Sequence, residues 1–269
     1  MASEFIKIYP EYKKKDINNE YLEYVFANQF KSYKPFYYAN FIMGINGRIA
    51  IYNKKYRRLL TPAEIMSKND FLIFNQLHAQ SDCLVTNTNY LKGLSEGYYG
   101  DILGSQDQNL KKWKARNKVK NPKIIAISNS LNFKINKKIL MHKENMVILT
   151  TNKNKNKINR IKEHGISLKK YNGKQISARS LDKYIRSNRY KSIYFVAGPT
   201  IVEDMINQSL LNTLYCTTSQ KLVGSIKYDT IIRGNIIKNI KNLDLRNIYI
   251  TKNKKTKKIE EMYQEYTLK

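Results

Sequence analysis

The residues best placed to do chemistry sit where apolar runs end. The stretch YFVAGPTIVEDMI (residues 194–206) passes from a β-prone run through Ala-Gly-Pro-Thr into a helical pattern. Gly198 lets the backbone come close to a ligand, Pro199 presets φ for a first helical turn, and Thr200 adds a hydroxyl. A helix start has N–H groups without intrahelical partners, and together with the helix dipole these attract phosphate. The same residues have a plainer reading. Thr200 followed by Glu203 has the spacing of a capping box, and Glu203 and Asp204 suit a helix N-terminus with no ligand at all. Two other run ends, VTNTN (85–89) and ISNSLN (127–132), also place small hydroxyl or amide residues where unpaired N–H groups are expected.

Other chemistries have less to stand on. His78, His142 and His164 are far apart, and no CxxC, HxE or HExxH spacing exists to assemble a zinc site, so no metal is expected. Cys83 and Cys216 each lie inside an apolar run, where a thiol behaves as a small buried hydrophobe, and they give no disulfide framework. No residue stands out as a general acid. Asn40 and Asn46 could orient a substrate or a water, and no catalytic residue is assigned.

The elements that must position these residues alternate. FYYANFIMGI and RIAIY flank Asn46-Gly47, the strongest short hairpin signal, because both central turn residues need positive φ. Thr61-Pro62 opens a helical pattern running to His78, with Asn69-Asp70 as a candidate break. Apolar runs at Cys83–Val85, KIIAISN, MVILTT, ISLKKY and SIYFV read as strands, and SLDKYIRS reads as a helix. The run NKNKNKINRIKEHG reads as a solvated helix or loop. Strands alternating with helices imply crossover units and a mostly parallel sheet, with ligands at the carboxyl ends of its strands. Residues 1–34 form a polar extension, helical around EYLEYVFANQF, and residues 35–269 form a single domain.

The formal net charge is +28 over 269 residues, which by itself suggests a polyanion partner. Of the 49 basic residues only 10 are arginine, and the 39 lysines are scattered among Asn and Ile in every segment. Base-reading surfaces favour arginine and concentrate charge on one element, so the bias reads as compositional and nucleic acid is not the expected partner. No apolar run of about 18 residues and no signal-peptide pattern is present, and a cytoplasmic protein is expected.

The series ANFIMGINGRIAI (39–51), LTPAE (60–64), LHAQSDCLVTNTNYL (77–91), PKIIAISNSLNF (122–133) and YFVAGPTIVEDMINQSLLNTLYCTTSQKLVG (194–224) resembles the reductase domain of riboflavin biosynthesis, in that family's order. The resemblance spans about residues 35–224, and the late segment is its most specific part. It implies a dihydrofolate-reductase-like α/β fold of three layers with a mixed, mostly parallel central sheet. It also implies an NADPH-dependent reductase, usually a homodimer, acting on a phosphorylated ribosylaminopyrimidine. In the family the Gly-Pro-Thr helix start cradles the cofactor pyrophosphate, which here means Gly198, Pro199, Thr200 and Ile201, with further contacts at Tyr90 and Asn129.

Departures from the family pattern fall mainly on the substrate side. Asn46 stands for an aspartate, His78 for a phosphate-holding arginine, Tyr56 for a serine near the pyrimidine, Val196 for an acidic residue and Tyr90 for a threonine. The substrate positions are therefore read as Asn40, Tyr56 and His78. Two other readings stay open. One is a reductase of another pteridine-like or carbonyl small molecule on the same fold. The other is a non-catalytic nucleic-acid or anion-binding protein on a retired reductase scaffold.

Overall fold

The computed structural model of the chain describes residues 3–22, 34–101, 108–234 and 241–268. The chain divides into two compact units, one formed by Met1–Tyr24, Tyr37–Gln76 and Pro199–Lys269, the other by Val25–Phe36 and Leu77–Gly198.

In the first unit, β1 (Ser3–Tyr9), β2 (Lys13–Lys15), β3 (Phe36–Gly44), β11 (Thr213–Ser219), β13 (Leu243–Asn253) and β14 (Ile259–Leu268) lie in the order β2-β1-β13-β14-β11-β3. β3 and β11 are parallel, and the other neighbouring pairs are antiparallel. Aromatic side chains hold this sheet's core. Phe5 stacks on Tyr249 with centroids 5.0 Å apart, and Tyr215 receives Tyr21 and Tyr38 edge-on. Residues 3–15, read from sequence as part of an extension, thus form two strands of the sheet, with Phe5 and Ile6 buried. The helix expected around residues 20–30 falls for the most part outside the described residues.

The Asn46-Gly47 turn forms, with Gly47 at φ +75°, but the strands it joins do not pair as a hairpin. β4 (Arg48–Asn53) instead joins β5 (Arg58–Leu60) and β12 (Tyr228–Thr230) in a separate three-stranded sheet. The local reason is that Ile45 N–H donates to Lys221 O (2.9 Å), so the main chain beside the turn is bonded to the segment after β11 rather than to β4. The helical pattern after Pro62 is also shorter than expected. α1 (Lys68–Ala79) begins only after Ser67, whose Oγ accepts the Asp70 N–H (3.0 Å) as a cap. α7 (Pro199–Asn207) completes the described helices that begin in this unit.

The second unit carries β6 (Cys83–Asn87), β7 (Lys123–Ile127), β8 (Met146–Thr150), β9 (Ser167–Lys170) and β10 (Ser192–Phe195), in the order β10-β6-β7-β8-β9 and all parallel. The α/β expectation with a mostly parallel sheet therefore holds. Strands flanked by helices on both faces read as continuous apolar runs, and all four residues of β10 are buried. Between the strands run α2 (Thr88–Glu96), α3 (Gln108–Arg116), α4 (Lys137–Leu140), α5 (Lys155–Glu163) and α6 (Ala178–Ser187). Leu91, Leu94, Ile124, Ile139, Ile148 and Ile161 belong to one buried cluster. The lysine/asparagine run becomes α5, in which Ile161 is buried and Ile158 packs, partly buried, against the same cluster. Side chains cap four of these helices: Asn87 on α2, Asn136 on α4, Asn154 on α5 and Ser177 on α6. Cys83 and Cys216 are both buried free thiols, as their apolar surroundings in sequence predict.

Candidate functional site

The parallel register of the second unit aligns three strand ends along one edge. Phe195 lies opposite Val85, Val85 opposite Ile125, and Ile125 opposite Val147. Val196–Gly198, Thr88–Asn89 and Ser128–Asn129 therefore all follow strands that stop at that edge, and Asn87 is the last residue of β6. A row of short hydrogen bonds ties them together. Thr86 Oγ1 donates to Val196 O (3.0 Å), Thr88 Oγ1 to Ser128 Oγ (2.8 Å), and Thr150 Oγ1 to Ser128 O (2.7 Å). Asn152 Nδ2 donates to Asn129 O (2.7 Å), and the Asn129 Oδ1 atom is buried without a hydrogen-bond partner. Such an edge, built from small polar side chains, is where an open parallel sheet takes up ligands.

Gly198 lies beside this row. A Cβ at that position would meet only the Asn87 Nδ2, at 3.4 Å, so the space above the glycine is bordered by one amide donor. Asn87 was not singled out by sequence as a site residue, although its place before a helix marks it as a cap. Its Oδ1 accepts the N–H groups of Asn89 (2.9 Å) and Tyr90 (3.1 Å), which leaves the Nδ2 facing Gly198. Tyr90 has a different part. Its ring is 6% exposed in the core cluster and stacks on Tyr99, and its N–H is taken by the cap, so its contribution here is packing and helix initiation.

α7 starts at Pro199, directly after Gly198, so Thr200 lies inside the first turn and the capping-box reading does not apply. Glycine brings no side chain to the helix start, and the first N–H groups of α7 have no partner within the helix. Thr200 is exposed, whereas Pro199 and Ile201 are buried. The Thr200 Oγ1 accepts a hydrogen bond from Arg233 Nη1 (3.1 Å), and Asp229 grips the same guanidinium through Nε (2.8 Å) and Nη2 (2.7 Å). Glu203, fully buried, accepts the Arg233 N–H (3.3 Å) instead of capping its own helix. Only the four-residue spacing of Asp229 and Arg233 could have flagged this group from sequence.

On the first unit, Asn40 lies mid-strand on β3 and Tyr56 on the turn joining β4 to β5, where Lys55 and Arg58 lie over its ring at 5.4 and 5.5 Å. Asn46, a candidate for orienting substrate or water, is engaged elsewhere. Its Nδ2 donates to Val223 O (2.9 Å), and its Oδ1 accepts Val223 N–H (3.3 Å), so it clips the segment after β11 to the turn.

His78 closes α1 at 1% exposure. Burial, helped by the Lys114 charge and only partly opposed by Asp101, pushes its pKa down to about 4. The imidazole is neutral at pH 7, so His78 does not carry the positive charge that the family's arginine would bring.

A family model for the RibD C-terminal domain matches residues 35–257. No curated protein matches the sequence. Among solved structures, the chain is similar to a pyrimidine reductase-like protein of Corynebacterium diphtheriae, with 13% identity over 87% of this chain and 92% of that one, and a TM-score of 0.68. The riboflavin biosynthesis reductase Rib7 of Saccharomyces cerevisiae is 12% identical over 93% of this chain and 98% of its own, with a TM-score of 0.60. RibD of Acinetobacter baumannii is 11% identical with a TM-score of 0.64, and the match covers 92% of this chain and 62% of that longer one. At these identities the likeness is one of fold, whereas the family match runs through the hairpin residues, the strand ends and the Gly-Pro-Thr helix start described above. The chain belongs to the RibD C-terminal domain family.

Proposed function

We propose that the chain is an NADPH-dependent reductase acting on a phosphorylated ribosylaminopyrimidine of the riboflavin pathway type. The observation that carries this reading is Gly198, whose open space faces the Asn87 amide, beside strand ends linked by hydroxyl and amide side chains. Membership in the RibD C-terminal domain family supports it.

The residues present fit a dinucleotide. Gly198 has room for a close backbone approach, Asn87 turns an amide donor toward that room, and Asn129 has a buried acceptor without a partner. In this reading the Gly198–Ile201 helix start holds phosphate through its N–H groups and dipole. Thr200 and Arg233 add a hydroxyl and a positive charge there, and Asp229 fixes the direction of the guanidinium. NADPH, when bound, supplies the hydride. The chain's own work is to orient and to exclude water, the usual protein share in such reactions. Asn40 and Tyr56 serve the pyrimidine end, and His78, being neutral, adds no positive charge. A homodimer belongs to the same reading and rests on the resemblance.

Because a neutral His78 stands where the family carries an arginine, a reductase of another small carbonyl or pteridine-like molecule is the second reading. One assay separates them. Loss of NADPH absorbance should depend on the ribosylaminopyrimidine phosphate. Oxidation with a different carbonyl substrate and none with the pyrimidine would favour the second reading, and no oxidation with either would refute the first.

A further inference from the structure

Lysines are spread over every segment of the chain, but three of its ten arginines, Arg48, Arg57 and Arg58, fall on the small sheet of the first unit and its turn. Residues 44–60 carry five basic side chains and residues 219–228 two more, and neither stretch contains an aspartate or glutamate. The fold brings the two stretches together. Tyr228 lies opposite Ile51, Ile51 opposite Leu60, and the Tyr52 N–H donates to Lys227 O (3.0 Å). Asp229, the next acidic residue along the chain, is buried and already paired with Arg233. Glu64, whose main-chain oxygen accepts from Lys221 Nζ, is an exposed acidic residue at the border. Strand pairing thus concentrates a positive charge that composition alone leaves dispersed.

Tyrosines are interleaved with these cations. The Arg48 guanidinium lies 4.0 Å from the centre of the Tyr228 ring, Lys227 Nζ lies 5.3 Å from that of Tyr52, and Lys55 and Arg58 lie over Tyr56. Tyr52 and Tyr228 are 37% and 46% exposed, so both rings reach water while a cation stands beside each. Lys54, Arg57 and Lys227 are exposed as well, as are Leu222 and Ile226 on the segment leading to β12. The main chain beneath is held in place. Asn53 Oδ1 accepts the Tyr56 N–H (3.2 Å) at the turn, and Arg48 Nη1 donates to Val223 O (2.8 Å).

Exposed tyrosine rings between arginine and lysine suit a ligand that has flat unpaired bases as well as phosphates. We propose that β12, β4, β5 and the β4–β5 turn form a binding surface for single-stranded nucleic acid. Tyr52 and Tyr228 are its stacking platforms, and Lys54, Arg57 and Lys227 are its phosphate contacts. A duplex keeps its bases stacked inside and gains only the attraction to charge. This function is separate from hydride transfer and does not rest on the reductase reading.

The test is fluorescence anisotropy of the full chain, near physiological salt, with a labelled mixed-sequence RNA of about 12 nucleotides and with the same strand in a duplex. Wild type should bind the single strand at least about fivefold more tightly than the duplex. Tyr52→Leu with Tyr228→Leu should weaken the single strand about tenfold or more and leave the duplex unchanged. Tyr52→Phe with Tyr228→Phe keeps both rings and should bind as wild type does. Arg57→Gln with Lys227→Gln should weaken both probes and reduce the single-strand salt slope by about 1.4, the share of two phosphate contacts. Lys254→Gln with Lys257→Gln removes the same charge from the β13–β14 turn, where no aromatic residue accompanies the lysines, and should change single-strand affinity by less than about twofold. Circular dichroism checks that each variant is folded, and Tyr52→Leu alone, with a smaller loss, stands in if the leucine pair is not. An equal loss in the Lys254 and Lys257 control, unchanged binding in the leucine variants, no preference for the single strand, or no binding by wild type would each overturn the proposal.

Discussion

Asp70 lies on α1 with its carboxyl shielded from water, and burial, reinforced by the Glu261 charge, raises its pKa to about 7. The folded state therefore keeps a proton that the unfolded chain releases near pH 4. The stability linked to that proton is fully present below pH 4 and is lost as pH rises through 7. Asp70→Asn should consequently raise the melting temperature at pH 8 and change it little at pH 4. A variant less stable than wild type at pH 8 would contradict the assigned protonation. His78 has the opposite sign. Its pKa is depressed to about 4, so its contribution is present above pH 6.5 and is lost as pH falls through 4. Its imidazole resonances should stay in the neutral position from pH 8 to pH 5, and a midpoint near 6.5 would refute the burial argument. Neither state was legible in the sequence. His78 was found through the family pattern, but its neutrality comes from tertiary packing, and the burial that raises the Asp70 pKa is likewise a property of the folded chain.

Local signals were read more reliably, because caps and turns depend on neighbours a few residues away. The Gly-Pro helix start, the strand ends and the Asn46-Gly47 turn all form where the sequence places them. The pairing of β4 with β5 and β12 was not legible, since it depends on the segment after β11 binding Ile45 and Asn46. Asn46→Ala removes both bonds to Val223 and should cost about 1–2 kcal/mol, the net worth of two hydrogen bonds. Amide exchange should quicken at Val223 first, and uniform quickening through the sheet would argue against a local clip. Gly44 sits under the same segment, and a Cβ there would lie 2.7 Å from both Lys221 O and Val223 Cγ2. At Gly198 the expectation is reversed. A Cβ meets nothing closer than 3.4 Å, so Gly198→Ala should fold normally, and Gly198→Leu should abolish NADPH binding by filling the space beside Asn87. Retained NADPH affinity in Gly198→Leu would sink the phosphate assignment.

The chain as a whole is strongly basic, yet its acidic residues are few and several are buried: Asp70, Glu203, Asp229, Glu261 and Glu265 are each at most 9% exposed. Glu203, Asp229, Glu261 and Glu265 each accept a hydrogen bond in the fold, while the lysines remain as general solvated charge. No described helix is long and apolar enough to cross a membrane. The alternating pattern of strands and helices was legible over most of the chain because β6, β7, β8 and β10 carry continuous apolar runs. The two N-terminal strands were not, because β1 alternates less regularly and owes its place to pairing with β13. The central claim is that this molecule binds NADPH, and thermal unfolding of the full chain with saturating NADPH, with NADH, or with neither tests it most directly. A ligand at about 100 times its Kd adds roughly 2.7 kcal/mol to the native state, a rise of about 5–10 °C for a chain of this size. The account predicts that rise with NADPH and a smaller one with NADH. No shift with either nucleotide would contradict it and turn attention to the basic surface.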